Sequence, residues 1–224
     1  MNPPPFAIAS MLLFDLDGVL ADSTACVEHH WRQWAAQHRI DPDALLKRVH
    51  GRRAVDTIRE VAPLLDADAE FRALAAAETL DTSGIVAEPG AVDFLKRLPN
   101  NRWGVVTSGA HSVAIARLNA CGLREPPLLI SAEMLTRGKP DPEGYLVAAW
   151  RSGYTPRDCV VFEDAPAGVA AAHAAGMRCV ALTTTHPAAA LANADWLVSS
   201  LAAVRVEFIH DAADQEQIAL YQVS

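Results

Sequence analysis

The chain has 224 residues, 51% of them hydrophobic, and a formal net charge of -8. That length supports one full core with a small accessory domain. The acidic balance excludes the basic face of a nucleic-acid binder, and an anionic ligand must be held by local positive groups against the global field.

Cys26, Cys121, Cys159 and Cys179 contain no C-x-x-C pair, and three of them lie among apolar neighbours. They read as small core residues of a protein kept in a reducing compartment. Residues 1–10 lack the basic start and apolar run of a signal peptide, and no uncharged stretch approaches a membrane span. A cytoplasmic location with no membrane partner is expected, and Pro3-Pro4-Pro5 reads as a loose leader.

Met11-Leu12-Leu13-Phe14 is an apolar run ending in Asp15-Leu16-Asp17-Gly18. It predicts a buried strand followed by a tight turn. Residues 22–40 predict a long helix, capped by Asp22 or Ser23. Asp41-Pro42 starts another, with proline at its first helical position. Helical patterns return at 54–62 and 67–80, and nothing between Asp22 and Thr82 reads as a strand. Residues 21–84 are therefore expected to form a small helical domain, and residues 1–20 with 85–224 a Rossmann-like core.

After Glu88-Pro89-Gly90 the pattern changes. A helix at 91–98 leads into a strand at 103–106 and a helix at 110–121. A strand at 128–130, a helix at 142–151 and a strand at 159–162 follow. The helix at 166–175 is closed by Gly176, and strands are expected at 180–182 and 196–198. Short apolar strands alternating with helices make a doubly wound parallel sheet, hence an α/β fold. Residues 204–223 alternate around a polar middle and predict a hairpin on the sheet edge.

Ligands of an open parallel sheet bind beyond the carboxyl ends of its strands. Asp15 and Asp17, then Thr107 and Ser108, then Glu163 and Asp164 all fall at such ends, and Lys139 lies in the loop Arg137-Gly138-Lys139-Pro140-Asp141. Converging acids repel each other unless a cation sits between them, and Mg²⁺ suits an all-oxygen set. Gly18 frees the backbone to bring Asp17 beside Asp15. Thr107-Ser108-Gly109 leads into a helix N-terminus that, with Lys139, can hold a phosphate. These are the parts of a phosphoryl-transfer site. Each has a plainer reading alone: a turn aspartate, a cap, a solvated lysine, a charge-complemented helix end. Their joint placement at strand ends favours the site.

Asp15-Leu16-Asp17-Gly18-Val19-Leu20, Val105-Val106-Thr107-Ser108-Gly109, Gly138-Lys139-Pro140-Asp141-Pro142 and Val161-Phe162-Glu163-Asp164-Ala165-Pro166-Ala167-Gly168 resemble the four motifs of the haloacid-dehalogenase-like hydrolase superfamily. Residues 138–145 and 160–171, with Val49-His50-Gly51-Arg52-Arg53, are similar to its sugar-phosphatase branch. That branch includes bacterial sugar phosphatases and the yeast 2-deoxyglucose-6-phosphate and glycerol-3-phosphate phosphatases. The resemblance reaches to about Val198. It implies a Mg²⁺-dependent phosphatase of carbohydrate metabolism, acting on small sugar or polyol phosphates through an aspartyl-phosphate.

In that pattern Asp15 is the nucleophile and Asp17 the acid/base. Thr107, Ser108, Gly109 and Lys139 hold the phosphate. Asp15, Asp17 (by its carbonyl), Asp164 and Glu163 surround the metal. The helical domain becomes an inserted cap, hinged near Asp22-Ser23 and residues 87–90. Val19 stands where many members have threonine. Phosphomutases of the family carry an arginine where this chain has Ala54, which disfavours the alternative of a beta-phosphoglucomutase-like enzyme. A dehalogenase would not need Asp17 or the Glu163-Asp164 pair, and an inactive ligand-binding module would not need the intact acids. His50, Arg52 and Arg53, with His29 and Trp31, are the cap residues expected to read the leaving group; Trp31 and Trp34 also fit a helix core. The expected partner is a small phosphorylated metabolite, and a monomer is expected.

Overall fold

A computed structural model describes residues 4–223. In chain order the strands are β1 (Ala7–Ala9), β2 (Met11–Phe14), β3 (Ala21–Asp22), β4 (Val86–Ala87), β5 (Trp103–Val106), β6 (Leu129–Ile130), β7 (Cys159–Glu163), β8 (Arg178–Leu182), β9 (Trp196–Val198), β10 (Val204–His210) and β11 (Glu216–Gln222). The helices are α1 (Thr24–His38), α2 (Pro42–Leu46), α3 (Ala54–Val61), α4 (Ala67–Leu80), α5 (Ala91–Arg97), α6 (His111–Ala120), α7 (Glu143–Ser152) and α8 (Pro166–Ala174).

Six strands form one parallel sheet in the order β6-β5-β2-β7-β8-β9, with β2 and β7 at its centre. This is the expected doubly wound α/β core. Successive strand residues point to opposite faces, and both faces are apolar. Leu12, Phe14, Val160 and Phe162 pack with Phe94 and Leu95 of α5 and Leu118 of α6. Met11, Leu13, Val161 and Cys179 pack with Tyr145 of α7 and Val169 of α8 on the other. The sheet is buried on both sides, so its strands read as continuous apolar runs.

Helices α1 to α4 share a separate core, built on Trp31, Trp34, Leu45, Ile58 and Leu74. Asp41 caps α2 and Asp66 caps α4 through backbone N–H groups. Ser23 occupies the N-cap position of α1, but its hydroxyl makes no cap bond; it is drawn to Asp17 instead. Asp22 accepts from the Thr24 N–H in its place. The chain enters and leaves this helical layer through the two-stranded pair β3–β4.

One expectation needs correction. The tail does form a hairpin, β10–β11, but not on the edge of the main sheet. It builds a second sheet of order β1-β11-β10, in which Ala7 pairs with Leu220. β11 is already paired on both sides, and its apolar face joins the α5 side of the core through Ile218 and Leu220. Residues 7–9, to which the sequence reading assigned no element, are the first strand of this second sheet. Of the leader itself, Pro3 lies outside the described residues, and Pro4 and Pro5 have no regular structure. No helix among the described residues is long and apolar enough to cross a membrane. All four cysteines are free, and Cys26, Cys159 and Cys179 are buried.

Candidate active site

β2 ends at Phe14, and the next residue is Asp15. Its carboxylate, with those of Glu163 at the end of β7 and Asp164 just beyond it, offers oxygens that all lie within 4.8 Å of one another. The central β2–β7 pairing sets this convergence, because Phe14 and Phe162 are partners in register. Lys139 Nζ sits 2.9 Å from Asp15 Oδ1 and 2.6 Å from Glu163 Oε1. Tyr145 donates its hydroxyl to Glu163 at 2.6 Å.

Three acids face one lysine in a buried pocket. Burial pushes the Asp15 pKa up to about 7, with Lys139 pulling it down and Glu163 pushing it further up. Asp164 is raised well above the usual carboxylate range by burial and then by Glu163 and Asp15. Burial works against the Lys139 charge, yet the Asp15 and Glu163 carboxylates outweigh it and raise the ammonium. Asp164 Oδ1 is buried with no hydrogen-bond partner among the described residues, while Oδ2 accepts from Thr185. A buried orphan oxygen is costly. One in a group of hard oxygens that still carries excess negative charge fits a divalent cation of the magnesium class.

Gly18 has φ +76, and a Cβ there would lie 2.3 Å from Asp164 Oδ2. The turn after β2 can therefore approach β7 only with glycine. Thr107 is buried at the end of β5, and its Oγ1 accepts from the Gly109 N–H at 3.0 Å. Ser108 donates to the Gly51 carbonyl of the helical layer at 3.1 Å. α6 begins just beyond, so Thr107, Ser108 and Gly109 lie between the carboxylates and a helix N-terminus.

Asp17 is not among the clustered carboxylates. Its Oδ1 accepts from Ser23 at 2.6 Å and both oxygens accept from Arg117 Nη1 at 2.7 Å. Arg117 also reaches Glu78 of α4 at 3.1 Å. Asp15, Asp17, Ser108, Arg117, Asp164 and Thr185 line a cleft whose other wall is helical: Trp31, His50, Arg52, Phe71 and Glu78. Trp31 belongs at once to the helical core and to this wall.

The helical-layer candidates separate. His50 lines the cleft, 3.8 Å from Glu28, and burial lowers its pKa. Arg52 lines it while pairing with Glu60. Arg53 is outside that wall. It is buried, and its fork is spent on Asp56, the Leu135 carbonyl at 2.6 Å and the Thr136 carbonyl at 2.8 Å. His29 and His30 also lie outside the lining, and His30 is buried beside Asp81.

Arg117, Glu78, Thr185 and Tyr145 escaped the sequence reading. Arg117 had a signal: it shares the buried face of α6 with Val113, Ala114 and Leu118, where an arginine demands a partner. Thr185 closes the run Thr183-Thr184-Thr185, polar residues directly after an apolar strand.

A family model of haloacid dehalogenase-like hydrolases matches residues 10–176. The chain belongs to the haloacid dehalogenase-like hydrolases. Hexitol phosphatase A of Escherichia coli strain K12 is 41% identical over 199 residues, covering 87% of this chain and 92% of that protein. 2-deoxyglucose-6-phosphate phosphatase 2 of Saccharomyces cerevisiae is 33% identical over 229 residues, covering 91% and 92%. The crystal structure of a hydrolase from Pseudomonas syringae superposes with a TM-score of 0.74 at 24% identity, covering 86% of this chain and 94% of that one. Membership of this family agrees with the parallel core and with the resemblance read in the sequence.

Proposed function

We propose that this hydrolase is a Mg²⁺-dependent phosphatase of small sugar or polyol phosphates, with Asp15 as nucleophile. One observation carries the reading: Asp15 belongs to a three-carboxylate cluster bridged by Lys139, and it lines a cleft whose other wall is helical. The names of the hexitol and deoxyglucose phosphate relatives support the substrate class.

In this reading Thr107, the Ser108 backbone N–H and Lys139 hold the phosphate in line with Asp15, and the Gly109 N–H steadies the Thr107 hydroxyl. Bound Mg²⁺, beside Asp15, the Asp17 carbonyl, Asp164 and Glu163, would offset negative charge on the phosphate and the attacking carboxylate. Asp15 Oδ attacks phosphorus, and the bond to the leaving alkoxide breaks as Asp17 delivers a proton to it. Asp17 then takes a proton from the water that cleaves the aspartyl-phosphate. Residues 21–84 act as a cap that moves on the β3–β4 pair and excludes water during the first step. His50 and Arg52 are placed to meet the leaving group. A monomer remains the expectation of this reading, and the free cysteines suit the cytoplasm.

The test is a panel of hexitol phosphates, 2-deoxyglucose 6-phosphate and glycerol phosphates with purified protein and Mg²⁺. Inorganic phosphate should appear, and chelation should stop it. An isomerised sugar phosphate without free phosphate would instead mark a mutase, which Ala54 disfavours.

A further inference from the structure

The root of the helical layer carries a second set of ligand-type side chains, apart from the carboxylate cluster. Cys26 and His30 are four residues apart on α1, so they share one face of the helix, a turn apart. Asp81 ends α4 opposite them. One donor atom from each of the three lies within 4.8 Å of the other two. His30 Nε2 is 3.5 Å from Asp81 Oδ2, and Cys26 donates to the Asp81 backbone carbonyl at 3.3 Å.

These spacings approach those of a tetrahedral ion. Zinc arms of about 2.0–2.1 Å to nitrogen and oxygen put two such donors about 3.3 Å apart, and a sulfur arm of about 2.3 Å widens that to about 3.6 Å. The His30–Asp81 pair is already near ligand spacing. His30 is 6% exposed, and its Nε2 has no hydrogen-bond partner among the described residues. A ring nitrogen buried without a partner is destabilising, and a metal ion at the centre of the cluster would satisfy it.

The donor chemistry differs from that at Asp15. There every candidate ligand is an oxygen; here a thiol, an imidazole and one carboxylate meet. Such a set selects a zinc-class ion over magnesium. We propose that Cys26, His30 and Asp81 form a zinc-class metal site that ties α1 to the end of α4. Water takes the fourth position, and the ion enters past the Asp81 side chain, which is 38% exposed. Binding sends the Cys26 thiol proton to solvent and breaks its bond to the Asp81 carbonyl. The two helices are then braced at the point where the helical layer meets the β3–β4 pair.

Cobalt titration of the full chain tests this, with excess Mg²⁺ present to occupy the carboxylate site. A thiolate-to-cobalt charge-transfer band should grow, saturate at a single equivalent and vanish when Zn²⁺ is added. Oxygen ligands at the catalytic site produce no such band. Cys26→Ser should abolish it, and His30→Gln should weaken cobalt binding by at least about 10-fold. Zn²⁺ should raise the thermal midpoint of the wild type and not that of Cys26→Ser. Absence of the band, or an unchanged band in Cys26→Ser, overturns the site. If Cys26→Ser does not fold by circular dichroism, His30→Gln decides: undiminished cobalt affinity there overturns it equally.

Discussion

Arg117 grips both carboxylate oxygens of Asp17 through a single guanidinium nitrogen, 2.7 Å from each. Its other nitrogen reaches Glu78 on α4 at 3.1 Å. Burial opposes the Arg117 charge, but Asp17 and Glu78 outweigh it and raise the guanidinium pKa. One buried arginine thus joins the acid/base of the proposed mechanism to the helical layer above it. The guanidinium favours the Asp17 anion, so Asp17 can take up a proton for the leaving group only as a shift of α4 draws Arg117 back; the position of the proposed cap and proton delivery are coupled through this side chain.

Arg117→Gln leaves Asp17 easier to protonate but no longer positioned, so it should harm substrates in proportion to their need for a correctly placed proton. General acid catalysis is worth about 10²–10⁴-fold, so kcat on a sugar phosphate should fall by about 10²-fold or more. p-Nitrophenyl phosphate, whose leaving group departs unprotonated, should lose far less. Measuring kcat on both substrates checks this. Equal losses would reduce Arg117 to a structural role.

Asp15→Asn removes the proposed nucleophile while keeping its shape. Turnover in a metal-loaded, folded sample should drop by more than about 10³-fold. The fold should survive, because burial raises the Asp15 pKa and a neutral amide suits the site. Phosphate release checks the first statement and thermal melting the second.

Gly168 sits in α8, where alanine ordinarily adds helix stability of about 0.5–1 kcal/mol. Here the sign should reverse. A Cβ at Gly168 would lie 1.9 Å from Glu163 Cδ and Oε1. Glu163 has no room to yield, since Lys139 and Tyr145 both hold it. Gly168→Ala should cost about 1–3 kcal/mol in urea unfolding and lower activity with it. A stabilised variant would show that Glu163 is free to move.

The sheet, its two helical layers and the carboxylate-bearing strand ends were legible because burial on both faces leaves bare apolar runs, such as 11–14 and 159–162, that stop abruptly at acids. The tail was legible as a hairpin, but its sheet was not. Pairing of Ala7 with Leu220 joins opposite ends of the chain, and no local pattern encodes that register. The same limit hid Arg117. Its partners lie 100 and 39 residues away, and only its place in an apolar helix stripe hinted at them. Arg52 and Arg53 are neighbours with identical chemistry, and only tertiary packing separates them: one lines the cleft, the other locks the helical layer to the loop at Leu135 and Thr136.

That separation makes a paired prediction. Arg53→Ala strands two carbonyls and Asp56, and should destabilise the chain by about 1–3 kcal/mol and speed hydrogen exchange in α3. Arg52→Ala removes one of the two arginines on the exposed Glu60, which keeps Arg48, so stability should barely change. Its effect should fall on KM for the sugar phosphate. Urea unfolding and steady-state kinetics on the two variants check the division. A raised KM in Arg52→Ala with wild-type melting supports a substrate-facing Arg52.

Glu88 lies where the chain leaves β4 for the core, with its backbone bonded to Leu20. Burial, and then the nearby Asp22 charge, push its pKa up to about 7 from an ordinary 4.5. The folded chain therefore holds this proton at pH values where the unfolded chain has released it. The stability that the proton confers is complete below the unfolded value, and is lost as pH rises through the folded one. Above that window a buried carboxylate with no favourable charge remains beside the β3–β4 pair. Glu88→Gln keeps the neutral form at every pH. Its thermal midpoint should match the wild type near pH ~4 and exceed it near pH ~8, with the gap opening between about 4.5 and 7. Melts across that range check both sign and window. A gap that opens toward acid instead would mean that Glu88 is held as the anion, by a cation or a partner that forms when the hinge moves.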